Sequence, residues 1–373
     1  MATSPNYAWA EPDNSSLVKN GAADIRTLGD AIDTSVWNIG FGQAGKNKII
    51  NGDFTLNQRG FTSNTTTAAY NFDRWLQQNS GGTFTVTPQS FTAGAAPVAG
   101  YEAATFVQGI TATQSAAGDF AIITQRIENV RTFAGNTVTI SFYAKANTGT
   151  PKIGVEVQQN FGSGGSPSAT VSTPAGSITL TTSFARYSVT VAVPSISGKT
   201  VGTTANTSYL ELNLWTSSGA TNATRASSIG IQNFTASIWG VQVEYGSKAT
   251  PFQTASGGSP QAELAACQRY YVRIGDTTSN ATLSIGTSNS AGTVSIQSLA
   301  LPVAMRVAPT TLDYANIRLS DGSTGYTISS ASLIGGTTLR GNISCATTGM
   351  TAFRVTMLDA SATGNYVGFS AEL

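Results

Sequence analysis

The sequence predicts a mainly β protein in which an N-terminal helix precedes an antiparallel β-sandwich and a second, smaller β-sandwich. Three observations lead to this fold class. Short runs of alternating polar and apolar residues fill most of the chain, Gly, Pro, Asn and Ser separate the runs, and helical periodicity is confined to two segments. At 373 residues the chain exceeds the length at which a single core stops growing, so more than one domain is expected.

The first helical pattern covers residues 14–39. Its apolar residues recur at the a and d positions of a heptad, a narrow stripe typical of helices that associate with other helices. The stripe consists of Val18, Ile25, Leu28, Ile32 and Ile39. A helix this short with two internal glycines is marginal alone, so it needs a packing partner. Trimerisation with other copies and packing on the chain's own β-domain both remain open.

From residue 46 onward the pattern changes to period two. Runs such as NTVTISFYAKA and ARYSVTVAV alternate apolar and polar residues, and turn segments such as FGSGGSPS interrupt them. Val138, Ile140 and Phe142 share the apolar face of one run and are expected in the core. We predict a jelly-roll sandwich over residues 46–250.

A second helical segment follows the Gly/Pro/Ser break TPFQTASGGSP. In QAELAACQRYYVRIG, Leu264, Cys267 and Tyr271 fall on one helix face, and YYVRIG is expected to lead into the first strand of the next domain. Cys267 is expected to be a packing residue, since the chain has no histidine that could activate a thiol. The predicted organisation is an N-terminal segment at 1–45, the jelly roll at 46–250, a linker and helical joint at 251–275, and a C-terminal β-sandwich at 276–373.

Composition excludes several classes of function. Charged residues make up 10% of the chain and the net charge is +1, so we expect neither nucleic-acid binding nor membrane insertion. The absence of histidine excludes Ser-His-Asp and Cys-His catalysis and imidazole-ligated zinc, and no cofactor is expected. A carboxylate-dependent polysaccharide hydrolase is the enzymatic alternative, but no local signature selects its acid pair. We therefore expect a protein that is not an enzyme.

Aromatic residues in turn-rich segments are the candidate contacts for a carbohydrate. Trp75, Trp215 and Trp239 lie within or beside strand patterns and are expected in the core. The candidate receptor or glycan contacts are Tyr101, Phe161, Tyr326 and Tyr366.

Several segments, taken in order, resemble bacteriophage tail-fibre and related virion structural proteins. NYAWAEPDNSSLVKNGAADIRTLGDAID resembles the N-terminal segment of such fibres. NKIINGDFTLNQRG and YNFDRW resemble the opening of their carbohydrate-binding-module-like jelly roll, and SIWGVQVEYGSKATPF resembles its closing strands. The CQRYY element, LPVAMRVAPT and GFSAEL are similar to later parts of the family. The order of these segments is more specific than any one of them.

The resemblance implies a homotrimeric virion component of the phage tail, assembled in the cytoplasm of the bacterial host. The segment around Trp9 would attach it to a tail or baseplate protein, and loops of the β-domains would bind a host-surface glycan, with the C-terminal domain as candidate tip. Related modules often hold calcium where Asp53 and Glu244 lie, although no dense run of oxygen ligands predicts a metal site here. Because NIGFGQAGKN joins helix and jelly roll directly, a capsid or baseplate decoration protein without a receptor role is an alternative.

Overall fold

A computed structural model describes the chain except for residues 1, 5–8, 12–16, 40–44, 99–100 and 276–280 and the side chains of residues 2 and 34–39. The described chain is mainly antiparallel β-structure with one long helix near its N-terminus, as the sequence predicts. The N-terminal elements are β1 (Ala2–Thr3), β2 (Ala10–Glu11), a 3-10 turn (Val18–Asn20) and α1 (Gly21–Ile39).

The apolar stripe of α1 faces solvent. Val18 is 97% exposed, Ile25 is 66% exposed and Ile32 is 37% exposed, while Leu28 is half-buried. The side chain of Ile39 lies outside the described residues. The chain's own β-structure therefore leaves most of the described stripe uncovered. Neither helix in the described part of the chain combines the length and apolarity that a bilayer crossing requires.

Two antiparallel sheets form the first β-region. Its strands are β3 (Ala69–Tyr70), β4 (Trp75–Ser80), β5 (Thr83–Ser90), β6 (Thr105–Ala112), β7 (Phe120–Ile127), β8 (Thr137–Ala146), β9 (Lys152–Asn160), β10 (Val171–Thr179), β11 (Ala185–Ala192), β12 (Tyr209–Ser218) and β13 (Thr235–Tyr245). The six-stranded sheet has the order β10-β9-β12-β7-β4-β3, and the five-stranded sheet has the order β11-β8-β13-β6-β5. A 3-10 turn (Ala220–Asn222) follows β12.

The core of this region lies between its two sheets. Val138, Ile140 and Phe142 of β8 are all fully buried, which confirms their predicted place in the core, but Thr139 and Ser141 between them are buried as well. The three apolar residues share one hydrophobic core with Val155 and Leu214 of the six-stranded sheet. Because inward side chains of both sheets fill a single core, the region is a β-sandwich, consistent with the predicted jelly roll.

The joint after the sandwich contains α2 (Pro260–Gln268). Ser259 caps this helix, since its Oγ accepts a hydrogen bond from the Ala262 N–H at 3.3 Å. Cys267 is buried, as predicted. YYVRIG leads into a strand as predicted, but Tyr271 belongs to that strand and not to the helix stripe, because its backbone pairs with a strand about a hundred residues further along the chain.

A second β-region follows α2. Its strands are β14 (Tyr271–Ile274), β15 (Thr282–Ser288), β16 (Val294–Ala300), β17 (Thr311–Ala315), β18 (Ile317–Ser320), β19 (Gly325–Thr327), β20 (Ser330–Thr337), β21 (Arg340–Ala346), β22 (Val355–Ala360) and β23 (Tyr366–Ser370). The three-stranded sheet has the order β14-β23-β17, and the seven-stranded sheet has the order β19-β18-β22-β15-β16-β21-β20. Val272 and Phe369 of the smaller sheet share a separate core with Ile343 and Leu358 of the larger one. The predicted joint thus already contains the first strand of this region, and the division into domains remains a prediction.

The two β-regions meet through arginine and tyrosine side chains around Glu372. The Glu372 carboxylate pairs with Arg74, which is 1% exposed, and with Arg59 at 3.3 Å. The Arg74 guanidinium lies 3.4 Å from the centroid of the Tyr270 ring, and that of Arg59 lies 3.7 Å from the centroid of the Tyr271 ring. Charge pairing and cation–π contacts therefore join the regions.

Candidate functional site

A cleft of about 360 Å³ opens where the segment after residue 52 meets the loop before β6 and the start of α2. Its lining includes Asp53, Tyr101, Glu102, Thr254, Ser259 and Glu263. Three of these side chains are carboxylates, and the described lining contains no lysine or arginine. The cleft is therefore rich in hydrogen-bond acceptors and negative in charge.

Asp53 carries an unsatisfied acceptor in this cleft. The residue is 7% exposed, and the Tyr101 hydroxyl donates to its Oδ2 at 3.2 Å. Its Oδ1 is buried and has no hydrogen-bond partner among the described residues. An unpaired buried acceptor costs about 1–3 kcal/mol, so Oδ1 retains the capacity to accept a further hydrogen bond.

The other two carboxylates are already engaged. Glu263 accepts from the backbone N–H of Asn51 at 2.6 Å and from that of Ser256 at 3.0 Å. Glu102 accepts from the N–H of Gly94 at 3.1 Å. Asp53 therefore differs from its neighbours in having one oxygen without a donor in the described chain.

Tyr101 remains a neutral hydrogen-bond donor at the edge of the cleft. Burial raises the pKa of Tyr101, and the Asp53 carboxylate, its hydrogen bond and the more distant Glu263 raise that pKa further. Each of these causes disfavours the phenolate. The hydroxyl therefore keeps its proton at neutral pH and can orient the Asp53 carboxylate.

An aromatic cluster covers the outer face of the five-stranded sheet next to the cleft. Its rings belong to Phe91, Tyr101, Phe106, Tyr143, Phe184, Trp239 and Phe252. Trp239 is fully buried among them, with ring centroids 5.3 Å from Tyr101 and 4.9 Å from Phe252. The Trp239 Nε1 is a buried donor without a hydrogen-bond partner among the described residues. Tyr101 thus belongs to both the cleft and the cluster.

A bulge in β13 positions the centre of this cluster. The pairing of β13 with β8 shifts register between Trp239 and Gln242. Gly240 lies within the shift at φ +64°, and a Cβ there would approach Tyr143 at 3.1 Å and Phe252 at 3.5 Å. Glycine therefore permits both the backbone conformation and the close ring packing around Trp239.

The prediction that Phe161 is an exposed contact is corrected by the structure. Its side chain is 2% exposed. The glycine-rich turn after it folds back against the chain near Gly202, whose N–H donates to the Phe161 carbonyl at 2.7 Å. The turn-rich sequence around this ring thus encloses it, and Phe161 cannot contact a ligand directly.

The remaining aromatic candidates lie in the second β-region, away from the cleft. Tyr326 borders a separate cavity of about 300 Å³ and donates to Asp321 Oδ2 at 2.9 Å. Tyr366 is half-buried, and the Arg273 guanidinium lies 3.5 Å from its ring centroid. Of the four predicted contacts, the structure places Tyr101 in the cleft.

The two calcium candidates have different surroundings. The buried Glu244 carboxylate accepts from Gln242 Nε2 at 2.7 Å and from the Thr250 N–H at 2.8 Å and hydroxyl at 2.7 Å, and it pairs with Lys46 at 3.4 Å. These donors of the chain take up the lone pairs that a calcium ion would need. The described residues contain no group of three or more His, Cys, Asp or Glu placed to hold a metal ion. Asp53 and Glu244 therefore do not fit a shared calcium ion.

Glu263 and the bulge at Gly240 were missed by sequence reasoning. Glu263 lies one helical turn before Cys267 on the buried side of α2, and a charge at that position was the available signal. The Trp239–Gly240 pair inside an apolar strand pattern was the signal for a bulge.

Trp9 lies beside β2, where its backbone exchanges hydrogen bonds with Ser4, and its attachment role remains a prediction.

Neither a family model nor a curated protein sequence matches the chain. Among solved structures, the enzymatically active domain of bacteriophage CBA120 tailspike protein 4 is similar at 16% identity and a TM-score of 0.31, covering 54% of this chain and 21% of the tailspike chain. The CBM22-2 xylan-binding domain from Paenibacillus barcinonensis is similar at 16% identity and a TM-score of 0.30, covering 47% of this chain and 94% of that domain.

A family 11 carbohydrate-binding module from Clostridium thermocellum, in complex with a mixed-linked tetrasaccharide, is similar at 7% identity and a TM-score of 0.29. It covers 51% of this chain and 99% of the module. The present chain thus spans about a fifth of the tailspike chain but nearly the whole length of these binding modules. At TM-scores below 0.5, this likeness does not by itself assign a ligand or an activity.

Proposed function

We propose that the chain is a non-enzymatic, glycan-binding subunit of a phage tail fibre. The observation that carries the binding proposal is the unsatisfied Asp53 Oδ1 beside Tyr101 in a cleft next to the aromatic cluster. A sugar presents hydroxyl donors for a carboxylate and an apolar C–H face for an aromatic ring, so one molecule can satisfy both. Concave sites with aromatic lining and a few convergent polar groups are typical ligand sites.

The proposed fibre is a homotrimer held together by α1. The exposed stripe at Val18, Ile25 and Ile32 supports this assembly, because three copies would cover apolar surface that one chain leaves in water. The segment around Trp9 would attach the trimer to a tail or baseplate protein. Each trimer would then carry three weak glycan sites, and binding at one site would raise the effective concentration of glycan at the other two. The subunit would be assembled in the host cytoplasm and located in the virion tail.

The proposed role is binding without hydrolysis. A glycosidase requires one carboxylic acid to donate a proton and a second carboxylate to act as nucleophile or base. In the cleft, backbone donors already hold Glu263, which is 4% exposed, and Glu102 also accepts from the backbone. These contacts favour a role for Glu263 and Glu102 in positioning the chain over a role as the second catalytic carboxylate.

Incubation of the purified protein with host-surface polysaccharide tests this function. We expect saturable binding measured by calorimetry and no increase in reducing ends. New reducing ends would support the hydrolase alternative. If the protein binds none of the host polysaccharides, and if particles that lack the protein adsorb normally to the host, the results would instead support a decoration protein. The short junction between the helix and the jelly roll is the sequence feature that suggests this alternative.

A further inference from the structure

The cleft differs from the chain as a whole in its charge. The chain carries a net charge of +1, with 20 lysine and arginine residues against 19 acidic ones. The cleft lining that the structure describes contains Asp53, Glu102 and Glu263 and no lysine or arginine. Residues 99–100, which precede Tyr101 outside the described chain, are alanine and glycine and add no charge. Negative charge is therefore concentrated at this recess of a nearly neutral protein.

The basic side chains of the described residues leave these three carboxylates unneutralised. None of the three forms an ion pair with a lysine or arginine in the part of the chain that the structure describes. The buried Glu156, by contrast, pairs with Arg225 at 2.8 Å. Glu263 is instead held by neutral donors, among them two backbone N–H groups at 2.6 and 3.0 Å. Neutral donors satisfy its lone pairs without cancelling its charge, so the negative potential of the cleft remains.

Asp53 combines this charge with the capacity to accept a further hydrogen bond. The residue lines the cleft and is 7% exposed. Its Oδ2 accepts from the Tyr101 hydroxyl at 3.2 Å, and the phenol has no second proton to give to Oδ1. Oδ1 is buried without a hydrogen-bond partner among the described residues. A ligand donor that reaches Asp53 therefore gains a hydrogen bond that no group of the described chain supplies.

Two of the carboxylates influence the same side chain. Burial raises the pKa of Tyr101 most, and the negative charges of Asp53 and Glu263 raise it further. Both carboxylates are thus close enough to the Tyr101 hydroxyl to act on it electrostatically. In a partly desolvated recess such charges are screened less than at an open surface. A positively charged ligand group beside Tyr101 would be attracted by both.

A protonated primary amine matches this environment better than the other polar groups of a carbohydrate do. It carries a positive charge and three N–H donors, whereas a hydroxyl group is neutral and has one donor. A hydrogen bond that involves charged partners is about twice as strong as one between neutral groups. The carboxylate or phosphate group of an acidic sugar would meet like charge and no cation in the described lining.

A metal ion matches the cleft less well than an amine does. The described part of the chain contains no group of three or more His, Cys, Asp or Glu that could hold a metal ion. The three carboxylates of the cleft therefore do not converge on one point of coordination. A sugar ring with an amino group and several hydroxyls spreads its donors over its length, which suits acceptors that lie apart.

We propose that the cleft selects amino sugars with a free, protonated amine over neutral and acidic sugars. The inference rests on the proposed glycan-binding function and names the ligand class of that site. The Asp53 carboxylate would accept from the ammonium group while the Tyr101 ring contacts the sugar. The cleft volume of about 360 Å³ lies in the usual range for ligand pockets. Because the protein itself carries a net charge of +1, a preference for the amine has to come from the cleft.

Two matched pairs of sugars test the proposal: glucosamine with N-acetylglucosamine, and galactosamine with N-acetylgalactosamine. Acetylation removes the positive charge and keeps the ring. NMR titration of each sugar with the full-length protein at about pH 6, where such amines are protonated, gives the affinities. We expect the free amine to bind about tenfold more tightly in at least one pair. Equal or tighter binding of the acetylated sugar in both pairs, or no binding of either amine, would overturn the proposal.

Replacing Asp53 by Asn removes one charge of the cleft and preserves the size of the side chain. We expect the affinity ratio within the responsive pair to fall from about tenfold to about twofold or less. Asp33→Asn removes an exposed charge of α1 outside the cleft lining and should leave the ratio unchanged. Circular dichroism verifies that both variants are folded. A folded Asp53→Asn variant that keeps the full ratio would contradict the proposal, and the matched pairs test it without any variant.

Ethanolamine distinguishes recognition of an amino sugar from recognition of an ammonium group alone. It carries the charged group without a ring, so we expect it to bind about tenfold more weakly than the amino sugar. Equal affinity would overturn the proposal and indicate an amine from another source, such as a lysine side chain of a protein. Binding of host polysaccharide without preference for the amine would overturn this inference alone. The glycan-binding function fails with it only if every glycan fails to bind.

Discussion

At the scale of single residues, one buried carboxylate holds the joint between the two β-regions. Glu263 is 4% exposed and accepts from the N–H groups of Asn51 and Ser256 and from the Ser256 hydroxyl. Asn51 precedes the cleft segment that contains Asp53. Glu263 therefore positions the acceptor of the cleft through the backbone rather than by touching a ligand.

Replacing Glu263 by Gln is expected to lower the free energy of unfolding by about 1–3 kcal/mol. The amide would place an N–H₂ group against backbone donors and leave one of them unsatisfied. Urea denaturation measures the loss, with Gln261→Ala on the exposed side of α2 as control. Equal stability of Glu263→Gln and wild type would contradict the role given to these hydrogen bonds.

Both cysteines are expected to resist alkylation in the folded protein. Burial, together with the Asp73 and Glu263 carboxylates, raises the pKa of Cys267, and burial raises the pKa of Cys345 to about 12. The reactive thiolate is therefore scarce at pH 8. Mass spectrometry after iodoacetamide treatment should show labelling in guanidinium and little labelling without it. Rapid modification of native Cys267 would be incompatible with its packing role.

At the scale of elements, α1 is expected to control assembly. Ile25→Ser with Ile32→Ser removes two exposed apolar side chains of the stripe, so association through α1 loses most of its driving force. Sedimentation should show a lower mass than for wild type, whereas Asp30→Ser, on the far side of the heptad, should leave the mass unchanged. A wild-type monomer that retains α1 would rule out the proposed trimer.

The sequence predicts elements well where local periodicity determines them and poorly where distant chain segments do. The alternation in β8 was sufficient to place Val138, Ile140 and Phe142 in the core. Tyr271 was placed on the stripe of α2 although YYVRIG leads into a strand, because no local pattern indicates the distant strand with which Tyr271 pairs. Phe161 was misjudged for the same reason, since burial of a turn residue depends on which segment folds over it.

The candidate site was predictable only in part. Tyr101 was identified because it is an aromatic residue in a turn-rich segment. Its hydrogen bond to Asp53 joins residues 48 positions apart, and Glu263 approaches Asn51 across 212 positions. Such contacts follow from the packing of the joint on the sandwich, so they became visible only in the fold.

At the scale of the whole molecule, Glu372 connects the two β-regions. Its carboxylate pairs with the buried Arg74 and with Arg59, and removing it would leave the Arg74 charge buried without its carboxylate partner. Glu372→Ala is expected to lower the free energy of unfolding by about 3–5 kcal/mol. Guanidinium denaturation measures this, with the exposed Lys199→Ala as control. An unchanged midpoint would show that the pair contributes nothing to stability.

The most direct test of the proposed glycan-binding function is the affinity of full-length protein for host-surface polysaccharide in wild type, Tyr101→Ala and Tyr326→Ala. Circular dichroism first establishes that both variants are folded. We expect Tyr101→Ala to weaken binding roughly tenfold, because one ring contact and the group that orients Asp53 are lost together. Tyr326→Ala, in the separate cavity, should leave the affinity unchanged. Undiminished binding by Tyr101→Ala, or a loss confined to Tyr326→Ala, would contradict the assignment of the cleft.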